Sequence, residues 1–108
     1  MRDIVINFPL YNNVDELFIG ISDNAELVEG GEYKYAKPIV FYGSSITQGG
    51  CASRPGNAYI SIISRWLDTD IVGLGFSGNA VAGETVANYI ANLDMSVFVY
   101  DYDFNSPS

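Results

Sequence analysis

Three stretches of this 108-residue chain gather residue types suited to chemistry: "GSSITQGG" at 43–50, "GLGFSGNA" at 73–80 and "DYDFNSP" at 101–107. In the first, an apolar run at 39–42 stops on Gly43 and passes into Ser44, Ser45 and Thr47. A serine placed where a strand ends and a glycine-rich turn begins can present its hydroxyl above a sheet, while the next main-chain N–H groups point at whatever binds there. That is a nucleophile platform with a donor built in. Thr47 can cap or brace the turn. Composition alone reads the same residues as ordinary turn formers. The α/β-hydrolase elbow, Gly-x-Ser-x-Gly, is not met, because Thr47 stands two residues after Ser45.

The elements that must position these turns follow from the apolar pattern. "IVFY" at 39–42 is a short, wholly apolar strand, as expected of a parallel strand covered on both faces. Tyr59, Ile62, Ile63, Trp66 and Leu67 then fall at helical spacing, which predicts a helix over about 57–68. "DIVGLGF" reads as a second strand, Val86, Tyr89, Ile90 and Leu93 as a second helical stripe, and "SVFVYD" at 96–101 as a third strand. The order βαβαβ calls for a parallel sheet with right-handed crossovers. Open parallel sheets bind ligands at the carboxyl ends of their strands, where all three unusual turns lie.

The first third reads differently. Residues 3–11 and 16–22 alternate apolar and polar side chains around "YNNVD", which predicts an antiparallel hairpin. Residues 23–37, with Gly30 and Gly31, have no sustained period and read as a linker.

Composition narrows the function classes. With 48 % hydrophobic and 14 % aromatic residues the chain is a folded segment, and one of this length can bury about 60–70 % of its unfolded surface. Thirteen acidic against five basic residues give a net charge of −8 without a basic cluster, which argues against nucleic acid or an anionic membrane as partner. Cys51 is the only cysteine and there is no histidine, so neither an intrachain disulfide nor a structural zinc site is expected. Cys51 itself reads as a buried or half-buried packing thiol. No run approaches a membrane span, and the start lacks the apolar block of a leader, which leans toward the cytoplasm without fixing the compartment.

"YGSSITQGGCASRPGNAY" resembles the first block of the SGNH, or GDSL-like, lipase and acylhydrolase family, in the branch whose block reads Gly-x-Ser-Ile-Thr-x-Gly. "LGFSGNA" and "DYDFN" are similar to the second and third blocks, and the resemblance spans about residues 38–107. It implies a three-layer α/β/α, flavodoxin-like core and ester hydrolysis through an acyl-serine, with no metal or organic cofactor. The implied nucleophile is Ser45, which immediately precedes Ile-Thr; the implied oxyanion donors are the Ser45 and Gly78 main-chain N–H groups and the Asn105 amide. The implied substrates are small-molecule esters, acetylated carbohydrates among them. The family's Asp-x-x-His element, which supplies the general base, has no counterpart in a sequence without histidine. A solvated Asp101 or Asp103 is a poor substitute base for serine. The chain is therefore expected to be an inactive slice: residues 1–36 the closing hairpin of a preceding β-sandwich plus linker, and residues 37–108 the first part of the hydrolase domain. A sheet stopped after three strands also leaves edges that invite self-association.

Two other readings compete. Gly73, Gly75 and Gly78 satisfy Gly-x-Gly-x-x-Gly and Asp101 ends the next strand, as in a dinucleotide-binding unit. The missing base equally fits a non-catalytic interaction module.

Overall fold

The computed structural model describes residues 2–103, so Asn105 lies outside the described residues. The apolar run predicted as a strand sits at the centre of a three-stranded parallel sheet of order β2-β1-β3. The strands are β1 Tyr35–Gly43, β2 Thr69–Gly75 and β3 Val97–Asp101. A central strand is flanked on both sides and covered on both faces, which is why Val40, Phe41 and Tyr42 are almost wholly buried. The ladder to β2 is irregular between Tyr35 and Ile39, around Pro38, which has no N–H to contribute.

Alternation along β1 assigns each side chain to a layer. Ile39 and Phe41 join Ala58 and Ile60 in the core beneath α2, Tyr59–Leu67, with the Phe41 and Tyr59 rings edge to face at 5.8 Å. A 3-10 turn, Pro55–Asn57, precedes α2, so the predicted helix starts two residues late. Asp68 in the left-handed conformation ends it, and the buried Ser64 hydroxyl donates to the Thr69 carbonyl at 2.7 Å. Tyr42 faces the opposite layer, stacked on Tyr100 at 5.8 Å, and its hydroxyl accepts the Ala82 N–H. There α3, Glu84–Ala91, stands off the sheet across a cleft of about 320 Å³ lined by Val86, Ile90, Phe98 and Tyr100.

The predicted N-terminal hairpin is not formed. Residues 3–11 and 16–22 belong to no strand among the described residues, the nearest turn falls at 23–24, and Phe18 is 86 % exposed. The physical reason is that alternation presupposes a surface to cover its apolar face, and a two-stranded ribbon without one is marginal in water. The segment instead extends from the domain, and the radius of gyration is 16.1 Å, against about 13 Å for a compact chain of this length. It touches the domain through Asn7, Leu10 and Tyr11.

The three strand ends are level. Gly43 is opposite Gly75 on one side and Asp101 on the other, so all three following turns start from one edge. Between the first strand and its turn the chain closes tightly: a Cβ on Gly75 would collide with the backbone at Thr47 and Gln48, and one on Gly43 with Thr47 and the Asp101 carbonyl. Gly75→Ala is therefore expected to lower stability in urea unfolding by about 1–3 kcal/mol, as overpacking of a tight contact does. Gly30→Ala, at a position open on all sides, is expected to stay within about 0.5 kcal/mol.

Candidate active site

The two adjacent serines have different environments. Ser44 is buried and caps the one-turn helix α1, Ser45–Gln48, its hydroxyl accepting the Ile46 N–H at 3.3 Å. Ser45 follows as the first helical residue and is half-buried; no hydrogen bond engages its hydroxyl among the described residues. Its carbonyl, by contrast, is held by the Gly49 and Gly50 N–H groups at 3.1 and 2.7 Å and by the Tyr11 hydroxyl at 3.1 Å. The backbone of Ser45 is fixed while its Oγ is left available.

Gly78 lies on the neighbouring turn, at φ +70°, exposed and with nothing within 4 Å of the place where a Cβ would sit. That turn is tied to the first one twice. The Phe76 N–H donates to the Gly43 carbonyl at 2.9 Å, and the Ser77 N–H donates to Gln48 Oε1 at 2.8 Å. The structure thus brings the Ser45 and Gly78 turns to one sheet edge, joined by Gln48.

The third strand end is joined through Asp101. Its Oδ2 accepts from the wholly buried Thr47 hydroxyl at 2.8 Å and from the Tyr59 hydroxyl at 3.2 Å, while the two hydroxyl oxygens lie 3.1 Å apart. Two hydroxyls carry two protons, so at most two of these three contacts are hydrogen bonds at once. The short Thr47 bond to the carboxylate takes one, and Tyr59 turns its own proton to either neighbour. Thr47 braces the turn as its position suggests, but against β3. Asp101 is occupied as an acceptor in this brace and makes no hydrogen bond to Ser45.

Two sequence expectations are corrected here. Gly73 and Gly75 lie inside β2, where Gly73 admits Ile60 and Gly75 admits α1, and α3 begins only at Glu84. They are close-packing glycines, so the dinucleotide fingerprint of Gly73, Gly75, Gly78 and Asp101 lacks its phosphate turn. Cys51 is exposed, not a packing thiol; it lies at the surface of the turn after Gly50, with φ +65°. The roles of Tyr59, Gln48 and Tyr11 were not legible in the sequence: Tyr11 reaches Ser45, 34 residues away, and Tyr59 reaches Asp101, 42 residues away.

The model of the GDSL-like Lipase/Acylhydrolase family matches residues 36–106. A crystal structure from Bacteroides ovatus ATCC 8483, of a protein provisionally assigned as a GDSL-like lipase, is 39 % identical with a TM-score of 0.73. The match covers 82 % of this chain and 26 % of that one, so this chain spans about a quarter of that protein. No curated protein matches.

Burial raises the Tyr59 phenol above its ordinary pKa, the Thr47 hydrogen bond opposes the rise, and the Asp101 charge adds to it. A raised folded-state value means that the stabilisation is present below the unfolded value of about 10 and is lost as pH climbs through the higher folded value. Urea midpoints measured from pH 8 to 11.5 are expected to fall more steeply above pH 10 for the natural chain than for Tyr59→Phe. Asp101→Ala, which leaves Thr47 and Tyr59 only each other as partners and one hydroxyl proton without an acceptor, is expected to cost about 1–3 kcal/mol at pH 7 in the same assay.

Proposed function

Because the chain belongs to the GDSL-like lipase/acylhydrolase family, we propose that it carries the nucleophile and oxyanion-binding part of a serine ester hydrolase. The observation that carries this reading is the unengaged Ser45 hydroxyl in the turn that leaves the level strand ends, beside the Gly78 turn. Ser44, spent as a cap, is the poorer nucleophile.

Ser45 Oγ attacks the ester carbonyl carbon and its proton passes to a general base. The resulting oxyanion is held by the N–H groups of Ser45 and Gly78 and by the Asn105 amide; each aimed donor of this kind is worth about 3–4 kcal/mol of barrier. Collapse expels the alcohol and leaves acyl-Ser45, which water hydrolyses to the acid and free serine. The base is not among these 108 residues, which include no histidine, and without it serine is a weak nucleophile. The reading therefore assigns the base to residues beyond this sequence. Small acyl groups, acetyl on carbohydrate among them, are the proposed substrates.

The same reading makes residues 1–36 the end of a preceding β-sandwich and residues 37–108 the start of the hydrolase domain. The exposed apolar alternation of the first segment supports this. It also includes self-association through the free edges of β2 and β3, supported by the exposed Val97, Phe98 and Tyr100. Sedimentation velocity over rising concentration is expected to show a growing dimer fraction; a monomer throughout would count against it. A non-catalytic interaction module is the second reading, favoured by the absent histidine.

An external base separates the two. With p-nitrophenyl acetate and imidazole, Ser45 is expected to gain an acetyl group visible by peptide mass spectrometry, and Ser45→Ala to gain none in that peptide. Asn105→Ala is expected to slow the acetylation by about 10²–10³-fold. An unmodified Ser45 under conditions that acetylate surface lysines would leave the interaction module standing.

A further inference from the structure

The N-terminal segment meets the domain beside Gly56 through Asn7 and then, through Leu10 and Tyr11, at the back of the Ser45 turn. Leu10 packs on the core cluster, its side chain lying over Gly49, where a Cβ would strike it. The Leu10 carbonyl accepts from Gln48 Nε2 at 3.2 Å, and Tyr11 donates to the Ser45 carbonyl at 3.1 Å. The other end of the same Gln48 amide, Oε1, accepts the Ser77 N–H at 2.8 Å. One carboxamide thus has its donor on the crossing segment and its acceptor on the turn that carries Gly78. Each contact fixes the orientation of the amide for the other, because a flipped group would face a carbonyl with its oxygen and an N–H with its nitrogen.

We propose that Gln48, anchored from behind by the strap of Leu10 and Tyr11, is a positioning residue that holds the Gly78 turn at its working distance from Ser45. This rests on the assignment of Ser45 and Gly78 made above. No atom of Gln48 need touch the substrate. An oxyanion donor acts only when aimed within a few tenths of an ångström, and between the Phe76 N–H, held by the Gly43 carbonyl, and the buried Ala80, residues 77–79 are exposed, with nothing within 4 Å of the Gly78 Cβ position. The strap makes that aim depend on a segment more than thirty residues upstream of the nucleophile.

Amide hydrogen exchange on the full chain tests the latch directly, with the Ser77 N–H read against the Phe41 N–H of the buried central strand. Gln48→Met keeps the length of the side chain and removes both bonds. It is expected to lower Ser77 protection about fivefold relative to Phe41, the loss of one ordinary hydrogen bond. Gln48→Glu retains an acceptor for Ser77 and is expected to keep most of that protection. Leu10→Ala, which touches neither Ser77 nor Gly78, is expected to reproduce part of the Gln48→Met loss. Unchanged Ser77 protection in Gln48→Met, or an equal loss in Gln48→Glu, would overturn the latch; unchanged protection in Leu10→Ala would remove the strap from it.

The imidazole-driven acetylation of Ser45 supplies the functional half, and Gln48→Met is expected to slow it at least tenfold, with Gln48→Glu restoring most of the rate. Acetylation of Gln48→Met at the natural rate, despite lost Ser77 protection, would overturn the positioning role. A natural chain in which Ser45 is never acetylated overturns the nucleophile assignment, and the Ser77 exchange rates still decide the latch.

Discussion

The α-carbon of Gly43 faces the Thr47 side chain and the Asp101 carbonyl with no room for a methyl group between them, and Gly75 faces the backbone at the end of α1, Thr47 and Gln48, in the same way. Because nothing larger than hydrogen separates these backbones, the one-turn helix α1 can fold back directly over the ends of the strands. The Thr47 hydroxyl then reaches the Asp101 carboxylate, and Ser45, two residues earlier, is set where the strands terminate. A methyl at either glycine would lift α1 and break the brace. The level register of Gly43 with Gly75 and with Asp101 is the other half of the constraint, since it makes three turns distant in sequence neighbours in space.

Hydrogen bonding then divides labour among similar side chains. Ser44 gives its hydroxyl to the helix cap and Ser45 does not. Asp101 gives its carboxylate to two hydroxyls, which keeps a buried polar cluster satisfied and leaves Asp101 a structural acceptor. Gln48 spends both ends of its amide on main-chain partners from different parts of the chain. The result is a turn whose backbone is held at several points and in which, among the described residues, the Ser45 hydroxyl has no hydrogen bond.

The parallel sheet and its two helices were legible because a wholly apolar strand and two helical stripes are local patterns; their observed bounds differ from the expected ones by a few residues at most, apart from the earlier start of β1. The hairpin was misread because alternation at 3–11 and 16–22 records that one face is apolar and says nothing of what covers it. Gly73 and Gly75 imitated a phosphate loop because glycine answers two demands, a special turn and a close approach, and only the second operates here. Spacing could not separate Ser44 from Ser45; the capping bond does. The brace was illegible in principle, since Thr47 and Asp101 are 54 residues apart and neither has a local signature.

The two faces of the sheet are unequally filled. One is packed by α2 around Phe41, whereas α3 on the other stands across a lined gap from Tyr42 and Tyr100. Side chains on that looser layer can change size or polarity without pressing on the strand ends, because the contacts that seat Ser45 run through the opposite layer and the loops. Tolerance to substitution is thus expected to lie on one side of the molecule, away from the serine turn.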